Sequence, residues 1–104
     1  MRKFHLLKDI KFISKLGHKW QKMTVLELGD EQKEYLKNHQ LTKKYEKAKS
    51  LFEENPFHPS LNMELLEPKH RLLYSFRLDK KYRAIFAYVE TETIEIIAIT
   101  NHYR

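Results

Sequence analysis

The chain has no cysteine, only two glycines and three prolines among 104 residues. Without cysteine, disulfides, thiolate zinc sites and cysteine nucleophiles are all excluded, which is compatible with a reducing cytoplasm. With so little glycine, backbone cradles for phosphate are scarce, and there is no G-x-x-x-x-G-K-[ST] loop. No stretch approaches the roughly 18–20 uninterrupted apolar residues that a membrane span requires. Low-complexity tracts and internal repeats are missing as well. The N-terminus is basic, but Lys8, Asp9, Lys11 and Lys15 break up its apolar residues. It therefore lacks the continuous apolar core of a signal peptide. What is present, 41% hydrophobic and 33% charged residues, fits one soluble domain with a single modest core.

The net charge of +6 suggests nucleic acid as a partner, but it is unevenly placed. Residues 1–22 hold seven Lys/Arg against one acid, Asp9, whereas residues 23–104 hold 13 of each sign. The excess sits entirely on a basic N-terminal extension, residues 1–22, ahead of a neutral domain, residues 23–104. Within the extension, "KFHLLKDIKFISKL" (residues 3–16) spaces Phe4, Leu6, Leu7, Ile10, Ile13 and Leu16 mostly by three and four, an amphipathic helix. Three uses are open to it: packing on its own domain, contact with RNA or the ribosome, or lying on an anionic membrane. Alternatively Met23 is the functional start and the segment is dispensable.

"TVLEL" at 24–28 suits a strand. "GDEQKEYLKNH" follows as a helix with Asp30 as N-cap, and "TKKYEKAKSLFEEN" as a second, from Thr42 to about Glu54. Asn55-Pro56 ends the second helix, because the residue before proline is pushed out of the α region. After the loop "PFHPSLN" the period changes to two. "LLYSFRL", "YRAIFAYV" and "IEIIAIT", joined by "DKK" and "ETET", form an antiparallel meander. The fold class is α+β: a small antiparallel sheet with two or three helices on one face.

The six histidines, His5, His18, His39, His58, His70 and His102, form no pair at metal-ligand spacing with a third ligand nearby, so no metal and no cofactor is expected. Arginines inside strands stand out more. Arg77 shares a face with Ser75, and Arg83 shares one with Ile85 and Ala87. Such arginines commonly just pair with acids on the sheet face. A hairpin through "LDKK", however, sets Arg77 nearly opposite Arg83. An antiparallel third strand then brings the end of the chain, "TNHYR", alongside Arg83.

Two cations, an imidazole and a phenol at one sheet end suit RNA cleavage through the 2′-OH. That reaction needs a base for the 2′-OH proton, an acid for the leaving 5′-oxygen, and positive charge for the phosphorane. Imidazole titrates near neutrality, as the acid should, and the guanidinium fork matches phosphate. Outside the meander, Glu64 in "LNMELLEP" is the best base, although spacing alone does not separate it from Glu67.

The stretch from "NPFHPSL" through "SFRLDKKYRAIF" to "NHYR" resembles the C-terminal half of the RelE/ParE toxin superfamily, closest to its YoeB-like and RelE-like mRNA interferases. The likeness extends over roughly residues 23–104. It implies the toxin of a bacterial type II toxin–antitoxin pair, a cytoplasmic, ribosome-dependent endoribonuclease that cuts mRNA in the A site without metal. By position, Glu64 is then the base, Arg77 and Arg83 the phosphate-binding arginines, His102 the acid and Tyr103 the residue that positions the substrate. Lys69, Arg71, Lys80, Lys81 and Arg104 are the candidate RNA-binding cations. The implied partners are an antitoxin, the ribosome and mRNA, with a homodimer compatible and no membrane. Two other readings remain: a ParE-like protein that inhibits DNA gyrase by binding, and an RNA-binding member without turnover.

Overall fold

The computed structural model describes residues 22–102. The helix expected over residues 3–16, most of the basic extension, Tyr103 and Arg104 lie outside those residues.

Among the described residues, two α-helices and five strands follow one another. They are β1 (Thr24–Val25), α1 (Asp30–Asn38), α2 (Thr42–Glu54), β2 (Glu64–Leu65), β3 (Tyr74–Arg77), β4 (Arg83–Glu90) and β5 (Thr93–Thr100). The sheet order is β1-β5-β4-β3-β2. The meander β3–β4–β5 is antiparallel as expected, but β1 joins the edge of β5 in parallel, so the sheet is mixed. The intervening helices carry the chain back over the sheet to make that parallel return. β1 is shorter than the apolar run "TVLEL" suggests, and β2, a two-residue edge strand, carries too little pattern to be read from the sequence.

Gly29, in extended conformation, caps α1 and Asp30 is its first helical residue. The cap thus lies one residue earlier than the expected Asp30. Asp30 and Glu31 occupy the first turn, where carboxylates favour the helix dipole. Helix α2 runs as expected and ends at Asn55, which is extended before Pro56.

Tyr45, Ala48 and Phe52 form the buried stripe of α2. Phe52 stacks on Phe76 of β3, with ring centroids 5.3 Å apart, and meets Phe86 of β4 edge-on at 5.2 Å. With Ala84, Tyr88, Ile94, Ile96 and Ile99 these residues form one core between the helices and one face of the sheet. Fully burying an aromatic of this size is worth roughly 1.5–3 kcal/mol. The Phe52–Phe76–Phe86 cluster is therefore the main pin between α2 and the meander.

The run "IEIIAIT" in β5 cannot alternate cleanly. Phe86 pairs with Ile96 and Ile85 with Ala98, so Ile97 has no partner across the ladder. This is a one-residue bulge, which resets the side-chain alternation. Ile94, Ile96 and Ile99 all reach the core, while Ile97 is 45% exposed. The bulge carbonyl, Ile97 O, accepts a hydrogen bond from Gln32 Nε2 of α1 at 3.0 Å. Among the described residues, no helix is long and apolar enough to cross a membrane.

Candidate active site

Residues paired across neighbouring strands project from the same face of a sheet. One row across this sheet reads Glu64–Ser75–Ile85–Ala98, and the second row beyond it reads Arg77–Arg83–Thr100. The row between them, Phe76–Ala84–Ile99, is buried against the helices. Glu64, Arg77 and Arg83 therefore share the face opposite the helices, at the end of the sheet where β5 finishes. The bulge at Ile97 lets Thr100 join that face. Without it, counting by twos from Ile94 would turn Thr100 toward the helices.

His102 lies two residues past Thr100 and is exposed. Its backbone N–H donates to Thr100 Oγ1 at 2.8 Å, a local turn that ties the segment after β5 to the strand's last residue. The register thus sets Glu64, Arg77 and Arg83 on one sheet face, with His102 two residues beyond Thr100.

The two arginines differ sharply. Arg77 is exposed and borders a cleft of about 220 Å³ whose walls include Lys44, Lys47 and Ser60 of the helical side. Arg83 is only 4% exposed. Its Nε donates to Ser75 Oγ at 2.8 Å, and Nη2 donates to the carbonyl of Asn62 and, at 3.4 Å, to that of Ser75. Asn62 sits in the left-handed region, with φ 43°, a conformation asparagine tolerates better than most residues. It ends the short 3-10 turn Pro59–Leu61, which His58 Nδ1 caps by accepting from the Ser60 N–H. Arg83 therefore reaches from β4 across β3 to the segment just ahead of Glu64.

The candidate RNA-binding cations divide. Lys80 and Lys81 sit in the β3–β4 turn, at the same end as Arg77 and Arg83. Asp79 organises that turn. Its Oδ1 accepts from the backbone N–H groups of Lys81 and Tyr82, both at 2.8 Å, and Oδ2 pairs with Lys44 Nζ at 2.9 Å. Burial opposes the charge on Asp79, but Lys44 and the two N–H donors outweigh it and hold the carboxyl below its ordinary value. Lys69 and Arg71 form a 3-10 turn between β2 and β3, so they lie toward the Tyr74 end of β3, away from Arg77. Glu67 precedes that turn outside any strand. Glu64, in contrast, is held in the sheet.

Sequence reasoning passed over two contributors. Ser75, fully buried, holds the Arg83 side chain, and its place two residues from Arg77 was the available signal. Asn62 contributes through its carbonyl, which no side-chain pattern could reveal.

Five strands with two helices on one face, the helical pair inserted between a parallel edge strand and a C-terminal meander, make the α+β fold of the RelE/ParE toxins. Among solved structures, the YoeB/ParE toxin from Agrobacterium tumefaciens superposes with a TM-score of 0.58, covering 80% of this chain and 100% of that one at 16% identity. At that identity the likeness is one of fold. Compared by sequence with family models and with curated proteins, the chain matches none.

Proposed function

We propose that this chain is the toxin of a bacterial type II toxin–antitoxin pair, a ribosome-dependent endoribonuclease that cleaves mRNA in the A site. The observation that carries the reading is the pair of adjacent rows, Glu64–Ser75–Ile85–Ala98 and Arg77–Arg83–Thr100, with His102 directly after them. In this reading the Glu64 carboxylate and the exposed Arg77 work from one sheet face, and the His102 imidazole works at its end.

In this mechanism the Glu64 carboxylate takes the proton of the 2′-OH, and the 2′-oxygen attacks the adjacent phosphorus. The P–O5′ bond breaks, and His102 protonates the departing 5′-oxygen. The products are a 2′,3′-cyclic phosphate and a 5′-hydroxyl. Arg77 offsets the negative charge that builds on the phosphorane oxygens. Arg83 acts at one remove: its bonds to Ser75 and Asn62 fix the strand start that carries Glu64. Tyr103 positions the substrate, and Lys80, Lys81, Lys69, Arg71 and Arg104 hold phosphates along the RNA. The ribosome presents the mRNA to the site, so the protein works in the cytoplasm.

An antitoxin neutralises the protein by seating on it. A groove of about 400 Å³ on the helical side suits an apolar segment of such a partner. Leu26, Leu28, Leu36 and Tyr45 line it, with Lys33, Lys37 and Lys49 and the acids Glu27 and Glu46 around them. The basic residues 1–22 add attraction to ribosomal RNA that weakens with salt.

The second reading, a gyrase-binding toxin of the same fold, draws support from the inward turn of Arg83, whose guanidinium is engaged with the protein itself. Primer extension on a defined mRNA, translated in a purified bacterial system, separates the two. Discrete cuts at A-site codons with the wild type, lost in His102→Ala, support the nuclease. Intact mRNA together with inhibited DNA supercoiling supports the gyrase binder.

A further inference from the structure

At the same end of the sheet, on its helical side, three aromatic rings come together outside the core. His39, just past α1, stacks on Tyr35 with ring centroids 3.9 Å apart and planes 19° from parallel. Tyr82, the residue before Arg83, stands 6.3 Å from Tyr35 and 5.7 Å from His39. Were Tyr82 over the far face of His39, its separation from Tyr35 would be the sum of the other two. At 6.3 Å it falls well short, so Tyr82 lies beside the stack and neither tyrosine covers the outer face of the imidazole. The ring is also fixed in place. His39 Nδ1–H donates to the Tyr35 carbonyl at 2.9 Å, and a carbonyl can only accept, so the proton is on Nδ1. His39 is exposed, whereas Tyr35 and Tyr82 are half-buried.

Exposed cations adjoin the rings along the chain: Lys37 two residues before His39, and Lys80 and Lys81 directly before Tyr82. An oriented ring face that neither tyrosine covers, with exposed lysines close by in the chain, is what an unpaired base and its flanking phosphates need. Arg83 follows Tyr82 immediately and projects to the opposite face of the sheet. Arg77 and the β3–β4 turn are at this end of the sheet too, so an RNA strand held at Arg77 reaches the stack by rounding that turn.

We infer that His39, backed by Tyr35 and edged by Tyr82, is a stacking platform for an unpaired RNA base at the sheet end that carries the cleavage site, on the other side of the β3–β4 turn. The inference rests on the nuclease reading for its ligand class, but it concerns binding, not cleavage.

The test uses the full chain and a 2′-O-methylated oligoribonucleotide of about eight nucleotides, within the range that small single-strand sites span. That probe has no free 2′-OH to attack. Wild type, His39→Ala, His39→Trp and Glu64→Gln are titrated with it and with a chain of the same length made abasic. The expected result is roughly tenfold weaker binding in His39→Ala, recovery in His39→Trp, and little difference among the proteins on the abasic chain. Glu64→Gln binds like wild type although it does not cleave. Equal affinity of wild type and His39→Ala overturns the inference, as does failure of the wild type to bind the oligonucleotide. So does a His39→Ala defect confined to a protein partner. Because the nuclease reading is judged by cleavage of translated mRNA, either idea can fail while the other stands.

Discussion

Arg83 Nε donates to Ser75 Oγ at 2.8 Å, a charge-assisted bond between neighbouring strands with both residues buried. Removing the hydroxyl leaves a guanidinium N–H without that partner in a site nearly closed to water. Ser75→Ala is expected to cost about 1–3 kcal/mol, read as a lower urea midpoint at unchanged slope. A midpoint equal to wild type would mean that the bond contributes nothing net.

Arg77 pairs with Arg83 in register, yet is exposed, so the two should separate when mutated. Arg77→Ala should stay within about 0.5 kcal/mol of wild type in stability and lose about a hundredfold or more in cleavage rate, as expected for a group that stabilises developing charge. Arg83→Ala should lose both. Equal stability of the two variants contradicts the division of labour between them.

The bulge in β5 predicts opposite outcomes for neighbouring isoleucines. Ile97 is outside the ladder and exposed, so Ile97→Thr should change stability by about 0.5 kcal/mol or less. Ile99 is back in the core, and Ile99→Ala should cost about 2–5 kcal/mol. Thermal unfolding of the two variants decides it, and a reversed order would place the bulge elsewhere.

Asp79 gives the β3–β4 turn a definite pH dependence. Its carboxyl is held below the ordinary value of 3.8, so the folded state binds that proton less readily than the unfolded chain does. The stabilisation is fully present above the unfolded value and is lost as pH falls through the lower folded one. Asp79→Asn should therefore be less stable than wild type at neutral pH, and the gap should narrow as pH drops through the acid range below about 4. A gap that widens on acidification would reverse the assigned sign.

The meander and α2 were legible because each rests on a strong local signal. Those signals are two-residue alternation around "DKK" and "ETET", and an apolar stripe stopped by Asn55-Pro56. The parallel pairing of β1 was not legible, since it depends on two residues and a contact far along the chain. The bulge left a trace in the adjacent Ile96 and Ile97, which cannot both face the core of a regular strand. The faces of Arg77 and Arg83 followed from alternation. Their different burial did not, because it depends on the left-handed Asn62 presenting its carbonyl to Arg83. The three-ring cluster was also hidden, as Tyr82 meets Tyr35 and His39 only in the fold.

The central claim is that Glu64 and His102 carry out 2′-OH attack at one sheet end. It is tested most directly by the 3′ end groups of mRNA fragments released from ribosomes by the full chain. The account predicts 2′,3′-cyclic phosphate ends with the wild type, and loss of the fragments in Glu64→Gln and His102→Ala proteins that melt like the wild type. Fragments ending in a 3′-hydroxyl, or cuts undiminished in both variants, would contradict it.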